Sequence, residues 1–317
     1  MVIPARDAAP LLPRALRSAL QQEWAPLEIL VVDDGSSDDT RRVAESFGAP
    51  VRVLHQAPAG PAAARNLGIL SARGTHIAFL DADDEWRREH LARAANAFAA
   101  ESTLHWFSAA FEKHERDGRV WKPRPEATRL IDGRYFEDYL EAAQSWTCYT
   151  PTMVVRRETL LRIGLFDPSL PTGEDIDLWL RIALEHPRIG YCPEATVIIW
   201  STPGSLVTRG LFDLAAAQRL AQRFEHSAAT HGRLHDPCFR SYLIRWMTHF
   251  LRDALRAGDR GATGWVIERF GPELPFRWRL LARITQTIPP PLWSAITRVW
   301  ISSRPMRARL WTWPSRN

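Results

Sequence analysis

The sequence contains few cysteines, and their arrangement argues against two common ways of stabilising a fold. Cys148, Cys192 and Cys238 are the only cysteines among the 317 residues. Their number is odd, they are widely separated, and no pair has the short spacing that is typical of zinc ligands. We therefore expect neither a disulfide framework nor a structural zinc site. Cysteine use of this kind is typical of a reducing cytoplasm.

The sequence also lacks a long hydrophobic run. No stretch reaches the roughly 18 uninterrupted apolar residues of a membrane-spanning helix, and the N-terminus has no basic-then-apolar leader. We therefore expect a chain that is neither secreted nor membrane-spanning. Its composition, 45% hydrophobic and 24% charged, is ordinary for a globular protein and excludes a disordered chain or a fibre.

Acidic residues are absent from the C-terminal end. From Leu274 onward there is no aspartate or glutamate, whereas there are eight arginines and five tryptophans. This mixture favours contact between residues 274–317 and an anionic membrane surface, and packing of a basic helical surface on the acidic N-terminal part is an equally good interpretation. No nucleic-acid recognition motif accompanies the basic residues, so we expect no nucleic-acid partner. The expected location is the cytoplasm, with peripheral attachment to the cytoplasmic face of the inner membrane if the tail binds lipid.

Short apolar runs alternate with helical patterns in the first part of the chain. The runs have strand length at 29–32, 51–54 and 77–80, and the helical patterns lie near 11–22, 40–47 and 62–70. This alternation predicts an α/β domain with a Rossmann-like, mostly parallel sheet flanked by helices. A first strand at 1–3 is short, because Pro4 follows it at once.

The remainder of the chain divides into an irregular part and a helical part. Glycines and prolines interrupt residues 103–152, after which 153–155 and 189–199 predict further strands. From about Leu211 the pattern is helical as far as the prolines at 289–291. We therefore predict an α/β catalytic domain over residues 1–210 and a helical, arginine- and tryptophan-rich extension over residues 211–317.

Three acidic clusters lie where predicted elements begin or end. Asp33-Asp34 and Asp81-Ala82-Asp83-Asp84 each follow a predicted strand, and Glu174-Asp175 begins a helical pattern. Each cluster alone has an ordinary explanation as a polar turn or a helix cap. Carboxylates at the carboxyl ends of buried strands are, however, poorly placed for core packing and well placed for a ligand crevice. Together the clusters favour a metal-dependent enzyme that acts on a nucleotide.

The segment Asp81-Ala82-Asp83 predicts a cation site. Side chains alternate along an extended segment, so the carboxylates of Asp81 and Asp83 are expected on the same side. Two carboxylates can hold Mg²⁺ or Mn²⁺, which takes its remaining ligands from phosphate oxygens and water.

Two further segments predict contacts with a substrate. A glycine turn at 60–68 leads into a helix of small residues with Arg65 one turn in, which suits a diphosphate. Over residues 172–181 the apolar stripe leaves Asp175 at the start of a helix, where its carboxylate is expected to stay ionised and to accept a proton from a hydroxyl. For Asp177 we predict an ordinary ion pair with Arg181, one turn further along.

The combination of these segments resembles family 2 glycosyltransferases over residues 1 to about 210. The matching segments are Asp33 to Ser36, Gly60 to Gly68, Asp81 to Trp86, Arg156-Arg157, Gly164 to Asp167 and Gly173 to Arg181. The resemblance implies a GT-A fold, a Mg²⁺ or Mn²⁺ ion and non-processive, inverting transfer from a nucleotide-diphosphate sugar, with a UDP-linked sugar as the expected donor. It also implies a saccharide or lipid-linked saccharide acceptor, in cell-surface polysaccharide or glycolipid synthesis.

The resemblance further implies roles for individual residues. Asp175 would be the catalytic base, with Glu174 beside it, and Asp81 and Asp83 would hold the metal. Asp34 and Asp33 would hold the base and ribose of the nucleotide sugar, and Asp81 would also contact the ribose. The full set of residues expected to bind the nucleotide sugar is Pro4, Ala5, Arg6, Asp7, Asp33, Asp34, Arg65, Asp81 and Ala82.

The sequence departs from the family pattern at two places. An aromatic residue and an asparagine usually follow the first Pro-x, but here Pro4-Ala5 precedes Arg6-Asp7, so that a guanidinium plane would replace the aromatic stack on the base. The segment Trp200 to Ser205 lacks the arginine and histidine that family members often carry there, which removes a metal or phosphate contact.

Two other functional classes remain open. One is a non-catalytic protein with a GT-A-like fold that binds carbohydrate or acts as a scaffold. The other is a sugar-nucleotide nucleotidyltransferase, which is disfavoured because the segment from Pro4 to Pro13 contains no glycine-rich loop.

Overall fold

The alternation of strands and helices that the N-terminal sequence predicts is present in the structure. The structure is a computed structural model that describes residues 1–123, 130–144, 146, 148–202, 214–288 and 292. The first elements are β1 (Val2–Ala5), α1 (Leu12–Leu20), β2 (Ile29–Asp33), α2 (Thr40–Glu45), β3 (Val51–His55), α3 (Pro61–Ser71) and β4 (His76–Ala78). The short first strand ends at Ala5, so Pro4 lies within it.

The next part of the chain supplies the other strands of the N-terminal unit. The strands are β5 (Glu85–Trp86), β6 (Trp106–His114), β7 (Val120–Trp121), β8 (Tyr135–Phe136), β9 (Met153–Arg156) and β10 (Ile189–Trp200). Between them lie the helices α4 (His90–Ala100), α5 (Tyr139–Ala142), α6 (Arg157–Ile163) and α7 (Glu174–Glu185). Sequence analysis did not assign β6, because small, polar and charged residues interrupt its apolar run, yet its first seven residues are buried.

The strands form two hydrogen-bonded groups that meet at one backbone contact. In the first, β1, β2 and β3 pair in parallel. In the second, the order is β4-β9-β6-β10-β5, with β6 parallel to β10 and with β9 antiparallel to both of its neighbours. The groups join where Val2 and Phe79 form a parallel bridge. At this bridge Leu80 N donates a hydrogen bond of 3.1 Å to Val2 O. The sheet is therefore mixed, and the carboxyl ends of β1, β2 and β4 lie at the same edge.

Close packing of α3 on β1 fixes the position of that edge. Val2 and Ile3 are fully buried, and α3 begins with Pro61, a residue favoured in the first turn of a helix. A Cβ atom at Gly68 would lie 2.4 Å from Cγ1 of Val2. Only glycine therefore allows the helix to approach the strand this closely.

The chain divides into a first unit, Met1–Ser205, and a second unit, Leu206–Asn317. The predicted boundary between residues 210 and 211 falls within 203–213, outside the described residues. The second unit contains α8 (Leu214–Thr230), α9 (Pro237–Ala257), α10 (Arg260–Phe270) and α11 (Phe276–Thr287), as its helical pattern predicts. Within the part of the chain that the structure describes, no helix is both long enough and apolar enough to cross a membrane. Of the basic tail, 289–291 and 293–317 lie outside the described residues.

Side-chain caps explain where two of these helices begin. The Asp236 carboxylate accepts hydrogen bonds from the backbone N–H groups of Cys238 and Phe239 at the start of α9. Asp259 accepts one from Ala262 at the start of α10. Aspartate is among the preferred residues at this position because it satisfies N–H groups that have no partner inside the helix.

Candidate active site

Asp33 ends β2 and is almost completely buried. Its Oδ1 accepts a hydrogen bond of 3.1 Å from Ser36 N, and its Oδ2 lies 2.9 Å from His55 Nδ1. Burial alone raises the pKa of Asp33, but hydrogen bonds from Ser36 and His55 outweigh it, so the pKa is lowered. Asp33 therefore presents an ionised carboxylate at the sheet edge.

The neighbouring carboxylate of Asp34 fixes the turn before α3. Its Oδ1 accepts hydrogen bonds of 2.7 Å from both Gln56 Nε2 and Ala59 N, and its Oδ2 accepts one of 2.9 Å from Gly60 N. Gly60 has a φ of +90°, in the region that favours glycine. Asp34 thus holds the loop that leads to Arg65, a role that sequence analysis did not predict.

The segment after β1 is connected to the segment after β2. Pro4 and Ala5 belong to the strand itself, where Ala5 is in register with Asp33. Asp7 Oδ1 accepts hydrogen bonds from Ser37 N at 2.7 Å and from Ser37 Oγ at 3.0 Å. The hydrogen bond from the Ser37 backbone is the main reason why the pKa of Asp7 is lowered.

Arg6 lies at the same edge. Its side chain is 53% exposed, and its Nη1 is 3.9 Å from Asp34 Oδ2. Stacking of the Arg6 guanidinium on a base stays a prediction.

Arg65 joins two of the predicted acidic clusters. Its Nη2 donates to Asp81 Oδ1 and its Nη1 donates to Glu174 Oε1, each over 2.9 Å. The side chain is 7% exposed and lies over the Phe166 ring, 5.4 Å from its centroid. Burial lowers the pKa of Arg65, but the charges of Asp81 and Glu174 outweigh it and raise the pKa. Arg65 is therefore a fixed cation between the turn after β4 and the start of α7.

Two further hydrogen bonds tie α3 to the segment before α7. Asn66 Nδ2 donates to Phe166 O over 2.8 Å, and Phe166 N donates to Asn66 Oδ1 over 3.0 Å. The Asn66 side chain thus pairs with a backbone that is 100 positions away in the sequence. Sequence analysis did not assign this role to Asn66, because no local pattern identifies such a partner.

Asp175 lies in the first turn of α7, beside Glu174. Its Oδ1 accepts a hydrogen bond of 2.7 Å from Ile176 N, and Thr150 Oγ1 lies 3.4 Å from its Oδ2. Burial and the charge of Glu174 raise the pKa of Asp175 to about 7, although Arg65 opposes the shift. The helix start was expected to keep this carboxylate ionised, but desolvation opposes that effect and raises the pKa. A pKa near the working pH suits a general base.

The prediction for Asp177 is confirmed. Arg181 Nε and Nη2 each lie 2.9 Å from Asp177 Oδ2, and the carboxylate is 1% exposed. The same guanidinium donates to the backbone carbonyls of Ile163 and Leu165. The pair therefore anchors α7 to the end of α6.

Residues 81–84 form a turn, and the predicted extended conformation is wrong. Asp84 N donates to Asp81 O over 3.1 Å, which closes the turn and places Ala82 in the buried interior. Asp83 Oδ2 accepts a hydrogen bond of 2.6 Å from Thr202 Oγ1, and Asp84 Oδ1 accepts one of 2.9 Å from Trp200 N. The turn allows Asp83 and Asp84 to hold the end of β10 while Asp81 contacts Arg65.

Asp81, Asp83 and Asp84 place carboxylate oxygens in this turn, which is the type of ligand that Mg²⁺ prefers. Among the described residues no cluster of three or more histidine, cysteine or acidic side chains could hold a metal by itself. Burial, and then repulsion from Asp81, raise the pKa values of Asp83 and Asp84. A cation would relieve that repulsion, and Mg²⁺ commonly binds through one or two carboxylates together with substrate phosphates.

Arg14 supports the turn from α1. Its guanidinium donates to Asp83 O and lies over the Trp200 ring, 4.6 Å from the centroid. Sequence analysis did not identify Arg14 or Thr202 as part of the site. Both residues act through partners that are distant in the sequence, which no local pattern reveals.

Comparisons with known proteins agree on one family. The model of glycosyl transferase family 2 matches residues 1–164. EpsJ of Bacillus subtilis (strain 168), described as an uncharacterized glycosyltransferase, is 30% identical over 213 residues, which are 65% of this chain and 62% of EpsJ. An uncharacterized glycosyltransferase of Rickettsia felis is 32% identical over 174 residues, which are 54% of this chain and 28% of that protein. The alignments thus span less than two thirds of either relative.

Solved structures show the same fold. S. aureus TarS 1–349 in complex with UDP-GlcNAc aligns with a TM-score of 0.61 and 18% identity, covering 94% of this chain and 90% of that structure. The mannosyltransferase PcManGT from Pyrobaculum calidifontis, in complex with GDP-Man and Mn²⁺, aligns with a TM-score of 0.55 and 22% identity, covering 95% and 87%. At this identity the likeness extends to the fold, which is GT-A. The family model covers more than half of the chain, and the chain belongs to glycosyl transferase family 2.

Proposed function

We propose that this protein is an inverting glycosyltransferase whose catalytic domain spans residues 1–210. It transfers a sugar from a nucleotide-diphosphate donor to a hydroxyl group of an acceptor. The observation that carries the proposal is the pair of hydrogen bonds from Arg65 to Asp81 and to Glu174. These bonds connect the turn proposed to bind the donor diphosphate with the helix start that bears Asp175, the proposed base.

The loops after β1 and β2 are proposed to bind the nucleoside. The lowered pKa of Asp33 keeps its carboxylate ionised, so that it can accept hydrogen bonds from a base imide or a ribose hydroxyl. Arg6 is exposed enough to stack on the base. Asp34 and Asp7 hold the surrounding loops in place through backbone N–H groups.

Asp81 and Asp83 are the proposed ligands of a Mg²⁺ or Mn²⁺ ion. Such an ion would offset the negative charge that develops on the departing nucleoside diphosphate. The proposal that the donor is UDP-linked is supported by the likeness to TarS in complex with UDP-GlcNAc, and the proposal of Mn²⁺ by the likeness to PcManGT. The fixed charge of Arg65 beside Asp81 adds a further cation near the diphosphate.

Asp175 is the proposed general base. Its pKa of about 7 allows it to be ionised at neutral pH and still to accept a proton as the acceptor hydroxyl attacks. One base and one direct displacement invert the anomeric carbon, because no covalent intermediate intervenes. The proposed acceptor is a saccharide or a lipid-linked saccharide, used in cell-surface polysaccharide or glycolipid synthesis in the cytoplasm.

A screen of nucleotide sugars tests this proposal. The purified chain is incubated with UDP-, GDP- and dTDP-linked sugars, with Mn²⁺ or with a chelator, and release of nucleoside diphosphate is measured. We expect slow release from a UDP-linked sugar that requires the metal. Donor binding without any release would favour the non-catalytic binding protein. Formation of a nucleotide sugar and pyrophosphate from a sugar phosphate and a nucleoside triphosphate would favour the nucleotidyltransferase.

A further inference from the structure

Helix α11 carries an exposed apolar stripe. Phe276, Leu280 and Ile284 follow one another at intervals of four residues, which places them on one face of the helix. Their exposed fractions are 70%, 46% and 41%. On the opposite face Trp278 and Ala282 are buried. Among the described residues the helix is therefore anchored through one face and presents an exposed hydrophobic face on the other, where the Arg279 guanidinium lies 5.9 Å from the Phe276 ring centroid.

Arginines border the stripe on both sides. With about 3.6 residues per turn, Arg283 lies at one margin of the stripe and Arg277 lies at the other. Both side chains are exposed. Leu292, beyond the end of the helix, is 59% exposed and adds apolar surface. An apolar stripe between two cationic margins is the arrangement of a helix that lies in the plane of a membrane interface.

We propose that the face formed by Phe276, Leu280 and Ile284 binds the surface of an anionic lipid bilayer. The three apolar side chains enter the boundary between headgroups and acyl chains, and the Arg277 and Arg283 guanidinium groups contact lipid phosphates. This inference makes specific the membrane contact expected from the sequence. It is independent of the proposed sugar transfer.

Charge complementarity favours an anionic lipid surface over a second copy of α11, and over residues 293–317, as the binding partner of this face. Residues 274–317 contain no acidic side chain, so a symmetric contact between two copies of α11 would bring arginines together without a counter-charge. Residues 293–317 contribute five more arginines and no acid, so this part of the chain would also add positive charge to a positive face. An anionic lipid surface supplies the opposite charge across the whole stripe.

Vesicle flotation of the full-length chain tests the proposal. Vesicles of phosphatidylcholine alone are compared with vesicles in which about a third of the lipid is phosphatidylglycerol. We expect the chain to float with the anionic vesicles and not with the neutral ones. High salt should weaken the association, because it screens the charges of the arginines. Equal flotation with both lipids, or flotation with neither, would overturn the proposal.

Two sets of variants locate the contact. The triple variant Phe276→Ser, Leu280→Ser, Ile284→Ser should lower vesicle affinity by about tenfold or more, because apolar burial is lost. The matched control Trp24→Ser, Leu27→Ser removes two exposed apolar side chains from the first unit and should not change flotation. Replacing Arg277 and Arg283 by glutamine should lower affinity by about fivefold per arginine on anionic vesicles.

Measurements of folding, oligomeric state and nucleoside diphosphate release complete the test of the variants. Circular dichroism melting shows whether each variant is folded, which is expected because all the replaced side chains are exposed. If the folded triple variant floats like the unmodified chain, the stripe is not the contact. If analytical ultracentrifugation shows a dimer that the triple variant loses, the occupant is a second copy of the chain. Release of nucleoside diphosphate from a soluble donor should be unchanged in the triple variant, so failure of this proposal is distinguishable from failure of the proposed transfer.

Discussion

Arg65 and Glu174 lie 109 positions apart in the sequence, yet Nη1 of Arg65 donates a hydrogen bond to Oε1 of Glu174 over 2.9 Å. The other amino group of the same guanidinium donates to Asp81. Because Glu174 adjoins Asp175, the bridge sets the electrostatic environment of the proposed base as well as the position of the proposed donor site.

The first prediction concerns the pH dependence of transfer. Asp175 must be ionised to accept a proton, so kcat/KM should rise as the pH increases through about 7. Glu174→Gln removes a negative charge that raises the pKa of Asp175, and this variant should shift the acidic limb to lower pH. Arg65→Gln removes a positive charge that lowers the pKa of Asp175, and this variant should shift the acidic limb of the pH profile to higher pH.

The measurement is kcat/KM from about pH 5 to about pH 9 for the unmodified chain and both variants. Arg41→Gln, in an exposed ion pair with Glu45 on α2, is the matched control and should leave the limb in place. A shift in the same direction for Glu174→Gln and Arg65→Gln would contradict the proposed coupling to Asp175.

The second prediction concerns the cation. Asp83→Asn should raise the Mn²⁺ concentration that gives half-maximal turnover by about tenfold or more, because metal affinity depends on the deprotonated carboxylates. The hydrogen bond from Thr202 can persist in this variant, so the fold should be retained. The measurement is a Mn²⁺ titration of turnover, together with Mn²⁺ binding followed by electron paramagnetic resonance with nucleoside diphosphate present. Asp117→Asn, at an exposed position, is the control; equal titration curves for both variants would argue against Asp83 as a ligand.

The third prediction concerns stability at α7. Asp177→Ala leaves the largely buried Arg181 without its carboxylate partner and should lower the free energy of unfolding by about 3–5 kcal/mol. Asp39→Ala breaks an exposed ion pair with Arg42 and should lower the free energy of unfolding far less, because solvent screens the pair. Urea unfolding of the two variants provides the measurement. Similar losses in both would show that burial of the Asp177–Arg181 pair is not the source of its effect.

The fourth prediction concerns the contact between α3 and β1. Gly68→Ala should lower the free energy of unfolding by about 1–3 kcal/mol, because the added methyl group would meet Val2. The same substitution should cost less in a Val2→Ala background, where the obstructing methyl groups are absent. Urea unfolding of the double-mutant cycle checks this coupling. Additive costs would mean that Val2 does not limit the approach of α3.

Much of the fold follows from the order of apolar runs in the sequence. The runs that become β2, β3 and β4 are short, continuous and separated by helical patterns, so local sequence is enough to predict them. Strand β6 lies among other strands, and such a position is determined by neighbours that no local pattern reveals. The segment Asp81 to Asp84 was predicted as extended and forms a turn, because its conformation depends on hydrogen bonds from Thr202, Trp200 and Arg14.

The candidate site was predicted as a set of residues and not as a set of bonds. Asp33, Asp81 and Asp175 could be identified because carboxylates follow strands or begin a helix. The pairing of Arg65 with Glu174 and the raised pKa of Asp175 depend on burial and on distances across the fold. Neither quantity is encoded in a short segment of sequence.

The most direct test of the central claim is a comparison of turnover and donor binding in Asp175→Asn. Nucleoside diphosphate release in the presence of acceptor is measured beside the Kd of the donor determined by calorimetry. Because the base supplies about 10²–10⁴-fold of the rate, release should fall by that factor while the Kd of the donor stays within about twofold. Turnover close to that of the unmodified chain would show that Asp175 is not the base.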